Sequence, residues 1–158
     1  MKCYDECWLA KDMENMGYLF EYCDKYCKEI YEVNIDKIKL LTAFMCSDFR
    51  KEMEVGHPKF LSQATKDSLV QWLRVDYNNN LSLFVNRDKK KVNYAEKQFY
   101  WIGWIYGYIH FMTKLPSEEI VKKLPITEML QHYYYLGHEV SKQTYYSRIA
   151  ERFGLEPC

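Results

Sequence analysis

The chain has 158 residues with 22 basic and 22 acidic side chains, 48% hydrophobic residues, six glycines and four prolines. That is the make-up of one folded soluble domain, and it excludes a disordered or fibrous chain. Residues 1–54 hold 8 basic and 12 acidic side chains (net −4), residues 55–115 hold 9 and 4 (net +5), and residues 116–158 hold 5 and 6 (net −1). No segment therefore carries the strong positive charge that dominates nonspecific nucleic-acid affinity.

At this length a core buries about 68 to 70% of the unfolded surface and needs no metal or disulfide staple. The opening Met1-Lys2-Cys3-Tyr4-Asp5-Glu6 lacks the charged-then-apolar design of a signal peptide, which points to a reducing cytoplasm with free thiols. From Leu9 the apolar positions run Leu9, Met13, Met16, Phe20, Cys23, Cys27 and Ile30, a 4,3 spacing that predicts a first helix with one apolar stripe. Gly17 lies off that stripe, so it is expected to cost about 1 kcal/mol of helix propensity without touching a packing contact.

Asn34 is the expected N-cap of a second helix that presents Ile35, Ile38, Leu41, Met45 and Phe49 on one face and ends at Gly56-His57-Pro58. A third helix is expected from Thr65 to Tyr77, burying Leu69, Trp72 and Leu73 before a turn at Asn78-Asn79-Asn80. Leu81, Leu83 and Val85 alternate with Ser82 and Phe84, which allows a brief strand and a small hairpin around Arg87-Asp88-Lys89-Lys90.

Gln98 to Thr113 is a run of 16 uncharged residues, QFYWIGWIYGYIHFMT, between Lys97 and Lys114. A membrane span needs about 20 apolar residues, so this run reads as the central helix of the core. Beyond it, Ser117 is the expected cap of a helix stopped by Leu124-Pro125. Thr127 is the expected cap of one ending at Gly137, and Ser141 of a last one ending at Gly154.

Cys3-x3-Cys7 and Cys23-x3-Cys27 resemble the twin CX3C pattern of small mitochondrial intermembrane-space chaperones. A disulfide hairpin would need a turn between the pairs, yet the first stripe runs through that interval unbroken. On one helix Cys7 and Cys23, 16 residues apart, would stand about 160° from each other around the axis. Core thiols are the expectation for Cys23 and Cys27. His132 and His138, with Glu139 adjacent, match no zinc-ligand spacing, and no GxGxxG, P-loop or GxSxG motif occurs. Neither metal nor cofactor is expected.

Gly103-x3-Gly107 marks a face of the central helix that also carries Glu96, Tyr100, His110 and Lys114. Two readings remain. A second helix of the chain crosses at the glycines, or a glycine-floored groove walled by Tyr100, Trp104 and Phe111 and rimmed by Glu96, His110 and Lys114 accepts a partner element. Met129 to Ala150 has the outline of a helix-turn-helix, but bulky Tyr133 stands four residues before the turn glycine Gly137, where close helix packing wants a small residue.

The stretch from Phe99 to Arg152, with YWIGWIYGYIHF, LPSEEIVKKLPITEMLQHYYYLGH and TYYSRIAERF, covers about a third of the chain. It resembles a family of small helical proteins from low-GC anaerobic bacteria whose genes sit beside toxin-like reading frames, often ADP-ribosyltransferase-like. Gly107 stands where members often have Arg, and Ser147-Arg148-Ile149 replaces their acidic Glu-Arg pair. The resemblance implies a non-enzymatic antitoxin-like protein that neutralises a toxin encoded by an adjacent gene through direct complex formation. The expectation is then one all-α domain, residues 1–158, of about six helices around the central one, with Trp104, His132, Tyr134, His138 and Tyr146 as partner contacts. A helix-turn-helix DNA-binding regulator is the alternative reading, and an enzyme with a pocket built from His110, His132 and His138 is the third.

Overall fold

The computed structural model describes residues 3–31, 34–56, 67–86, 95–133 and 137–158. Among them eight α-helices form an all-α bundle: α1 (Leu9–Tyr31), α2 (Lys37–Met45), α3 (Asp48–Glu54), α4 (Asp67–Tyr77), α5 (Glu96–Thr113), α6 (Ser117–Lys123), α7 (Ile126–His132) and α8 (Lys142–Phe153). A short 3-10 turn, Glu6–Trp8, leads into α1. No strand occurs among the described residues. The expected hairpin around Arg87-Asp88-Lys89-Lys90 lies outside them.

The expected stripe of α1 is realised: Met13, Met16, Phe20, Cys23 and Cys27 are all buried. Its partner is α5, which runs antiparallel to it. A Cβ on Gly103 would collide with the Met16 carbonyl oxygen, and one on Gly107 would lie 3.2 Å from Met13 Cα. The crossing thus depends on missing side chains, as one of the two expected readings had it, and the other is overturned because α1 itself fills the glycine-floored groove. Gly17 also corrects its expectation. A Cβ there would come within 2.7 Å of Tyr100 Cε2, so this glycine is a packing contact.

Around the central pair, α2 and α4 pack on α1, while α6, α7 and α8 pack on α5, and α2 touches both α6 and α7. Phe44, Trp72, Tyr77 and Phe84 make a chain of edge-on rings with centroids 5.1 to 5.3 Å apart, tying α2 to α4 and the turn beyond it. Edge-to-face pairs of this kind add about 0.5 to 1.5 kcal/mol each beyond their burial.

The second helix departs from expectation at both ends. Asp36, not Asn34, caps it by accepting from Lys39 N at 3.1 Å. It also breaks at Ser47, whose hydroxyl donates to the Phe44 carbonyl (2.6 Å) and accepts from Arg50 N (3.1 Å). A short polar side chain that satisfies the backbone in this way ends one helix and starts another. The new axis turns Arg50 inward.

Asn78 and Asn79 take the left-handed conformation (φ 50° and 58°) at the expected turn. The brief strand expected next is instead a 3-10 turn, Ser82–Phe84, with a single antiparallel bridge between Val85 and Ile35. Leu81 and Phe84 are buried three residues apart while Leu83 is exposed, a period that suits a tight helical turn and not a strand. Pro116 and Pro125 cap α6 and α7 in place of Ser117 and Thr127. α7 ends at His132, short of Gly137. A Cβ on Gly137 would enter the Trp101 ring. Ser141 caps α8 as expected, accepting from Thr144 N at 3.1 Å, and Gly154 ends it with φ 66°.

Candidate functional site

Two of the five expected partner contacts belong to the core. Tyr146 is buried, its hydroxyl donates to the Leu155 carbonyl at 2.6 Å, and its ring stands edge-on to Tyr108. His132 is buried between α7 and α8, with Nδ1 2.8 Å from the Tyr145 hydroxyl and Nε2 3.4 Å from Glu128. Both face inward because a long amphipathic side chain can fill the core while its polar tip meets a carbonyl, hydroxyl or carboxylate there. Tyr106, fully buried with its hydroxyl on the Leu124 carbonyl at 2.6 Å, follows the same rule.

Trp104 and His138 reach the surface. His138 is exposed, stacks on Tyr133 at 4.7 Å and donates from Nδ1 to the Tyr133 carbonyl. Trp104 is half-buried on the outer side of α5, with Lys142 Nζ 5.8 Å from its ring. Tyr134 lies outside the described residues.

Sequence reasoning missed an ionic centre between α1, α3 and α6. Arg50 donates to both carboxylate oxygens of Asp12, at 2.6 and 3.1 Å, and from Nε to Ser117 Oγ at 3.0 Å. Glu54 closes the ring, 3.4 Å from Arg50 Nε and accepting from Ser117 N at 2.7 Å. Tyr4 covers it, its hydroxyl donating to Asp12 at 2.8 Å. Burial opposes the Arg50 charge, but Asp12 and Glu54 more than offset it and hold the guanidinium above its ordinary range. One signal was present in the sequence. Asp12 sits four residues before Met16 and eight before Phe20, an acid on an apolar stripe.

Beside this centre His110 is buried. Its Nδ1 donates to the Leu115 carbonyl at 2.7 Å, which turns Nε2 toward Cys3 Sγ at 3.5 Å. Burial, then the Arg50 charge, lower the imidazole, and burial raises the Cys3 thiol. The two therefore meet as neutral groups near pH 7, without the thiolate that nucleophilic cysteine chemistry uses. His110 meets Cys3 and the Leu115 carbonyl, whereas His132 meets Tyr145 and Glu128, so the two serve separate clusters. Among the described residues no group of three His, Cys, Asp or Glu could hold a metal ion, and the cysteines are free thiols.

What remains open is the outer edge of the central pair. Tyr18 on α1 is 49% exposed and meets the half-buried Tyr100 of α5 edge-on, with centroids 5.2 Å apart. Trp104 follows one turn along α5. Phe111 ends the row, stacked on Tyr4 at 6.0 Å under Lys114 Nζ.

Fold and surface together define an all-α bundle with a partly exposed aromatic seam. No described helix is long and apolar enough to cross a membrane. Comparison of the chain with protein-family models, with curated proteins and with solved structures gives no match in any of the three.

Proposed function

We propose that the protein acts by binding another protein, as an antitoxin-like, non-enzymatic partner that neutralises a toxin encoded by an adjacent gene in the cytoplasm. The observation that supports this reading is the use made of α5. Its glycine face is filled by α1, yet the same helix, which bears the YWIGWIYGYIHF motif, leaves Tyr100 partly exposed beside Tyr18 and Trp104 partly exposed one turn further on. Tyr and Trp are enriched where binding energy concentrates, and truncating such a residue at an interface centre costs about 2 kcal/mol or more.

The proposed contact set keeps Trp104 and adds Tyr18 and Tyr100, while His132 and Tyr146 leave it because they are buried. Co-expression with each neighbouring gene product, followed by pull-down, tests the reading. Trp104→Ala with Tyr18→Ala should weaken the complex about thirtyfold or more while leaving the helical spectrum intact. Failure of both neighbouring products to bind the parent protein ends the antitoxin reading.

A further inference from the structure

The segment ahead of α1 crosses the ionic centre as a strap. Within residues 3–8, Tyr4 is buried, Cys3 is half-buried, and Asp5 to Trp8 are exposed. The Tyr4 N–H donates to the Glu54 carbonyl at 3.2 Å and its hydroxyl to Asp12 at 2.8 Å, while its ring lies 6.0 Å from Phe111 and 5.6 Å from His110. A Cβ on Gly56 would come within 3.0 Å of Tyr4 Cβ, so the strap sits close on the end of α3. The Cys3 thiol donates to His110 Nε2 at 3.5 Å. Because Nδ1–H is held by the Leu115 carbonyl, this contact needs a neutral ring that offers its Nε2 lone pair. A second proton would meet only a thiol there, a weak acceptor, on a ring with no exposed surface to share its charge with water.

The charged groups around the ring come from three elements. Asp12 of α1 and Glu54 of α3 favour the charged imidazole, and Arg50 of α3 opposes it; Lys114, past the end of α5, acts on Cys3. Both carboxylates are already engaged, Asp12 by Arg50 and Tyr4, Glu54 by Arg50 and Ser117. Burial first, then Arg50, lower the imidazole in spite of them.

We propose that residues 3–8 are a proton-released latch: protonation of His110 frees Cys3 and Tyr4 from the ionic centre while the helical bundle stays folded. Opening brings water to the imidazole, which then titrates near its ordinary value of about 6.5. Below that value the open strap takes up a proton that the closed strap does not, so acidification favours release. Local opening is cheaper than unfolding because Asp5 to Trp8 are exposed and the hold is concentrated on Tyr4 and Cys3. Water replaces the Tyr4 hydroxyl on Asp12, and Arg50 keeps its carboxylate partners. Release also uncovers the Phe111 ring at the end of the aromatic seam. Any gain in partner affinity from that ring rests on the binding function proposed above, whereas the latch is a property of this chain alone.

Hydrogen exchange of single amides, followed by NMR at about pH 7 and pH 5.5 and corrected for intrinsic rates, tests the latch. At both values the Tyr4 N–H should exchange well ahead of the Phe20 N–H in the middle of α1, and its protection should fall about fivefold on acidification. His110→Gln, which cannot take the proton, should abolish that fall. His132→Gln, in the separate cluster between α7 and α8, should preserve it. Tyr4 exchange no faster than that of Phe20, protection unchanged with pH, a fall that survives His110→Gln, or one lost with His132→Gln would each overturn the proposal. The first two readings need the parent protein alone, so they decide even where a variant does not fold. Because no toxin is present, a failed latch and a failed pull-down are separate results.

Discussion

Arg50 and Asp12 form a two-pronged ion pair, at 2.6 and 3.1 Å, in which neither side chain has any exposed surface. The pair joins α1 to α3, and through Ser117 it reaches α6. Buried charges of this kind are held by mutual compensation, so removing one partner is far costlier than removing both.

Asp12→Leu should accordingly destabilise the protein by about 3 to 5 kcal/mol, because Arg50 would keep its buried charge with Glu54 as its remaining carboxylate partner. Arg50→Met should cost a similar amount, and Asp12→Leu with Arg50→Met clearly less than the two single losses together. Urea unfolding of the four proteins measures this. Strict additivity would show that the ion pair is not the coupled unit described here.

Stability should fall as the solution is acidified below about pH 6.5, the ordinary histidine value. Burial first, then Arg50, lower His110 in the folded protein, and burial lowers His132 despite Glu128. Between the folded values and 6.5 the unfolded chain binds more protons than the folded one, so stability rises with pH through that window and is lost on descending it. Melting points at pH 7.5 and 5.5 test the sign, and His110→Gln should reduce the difference between them.

The glycines of the central crossing should differ in tolerance. Gly103→Ala places its Cβ on the Met16 carbonyl, a backbone atom that cannot move alone, and should cost about 1 to 3 kcal/mol through forced separation of α1 and α5. Gly17→Ala meets the Tyr100 ring instead. There the gain in helix propensity, about 1 kcal/mol, opposes a ring that can swing outward, so the net change should be smaller. Thermal melts of the two variants give the order, and the reverse order would contradict the packing.

The long helices were legible because their burial is periodic: Met13, Met16, Phe20, Cys23 and Cys27 repeat on one face, and the uncharged run of α5 buries most of its length in the core. The break at Ser47 was not legible, since the apolar positions from Ile35 to Phe49 keep their spacing across it and only hydroxyl geometry reveals the cap. Asp12 and Arg50 are 38 residues apart, and a lone acid on an apolar stripe does not say which base will meet it. Tyr146 and His132 were misplaced for a related reason. Their amphipathic side chains suit an interface and a core equally until the Leu155 carbonyl and the Tyr145 hydroxyl are located.

The thiols should react in the order of their burial, without any disulfide contributing to the fold. Cys7 and Cys158 are exposed, Cys3 and Cys46 are half-buried, and Cys23 and Cys27 are fully enclosed on the α1 stripe. Burial also raises Cys3 and Cys46, which lowers their thiolate fraction and slows them further. Alkylation followed by mass spectrometry should therefore modify Cys7 and Cys158 first, Cys3 and Cys46 later, and Cys23 and Cys27 only at the rate of unfolding. The Cys3 rate carries extra information, because its Sγ faces His110 Nε2 at 3.5 Å. If the imidazole takes up the thiol proton during attack, His110→Gln slows Cys3 while leaving Cys7 unchanged. A melting point that falls by more than about 10 °C on adding reductant would exceed the shift expected from roughly 1 to 2 kcal/mol and would require a structural disulfide, in conflict with cysteines that are all in the thiol form.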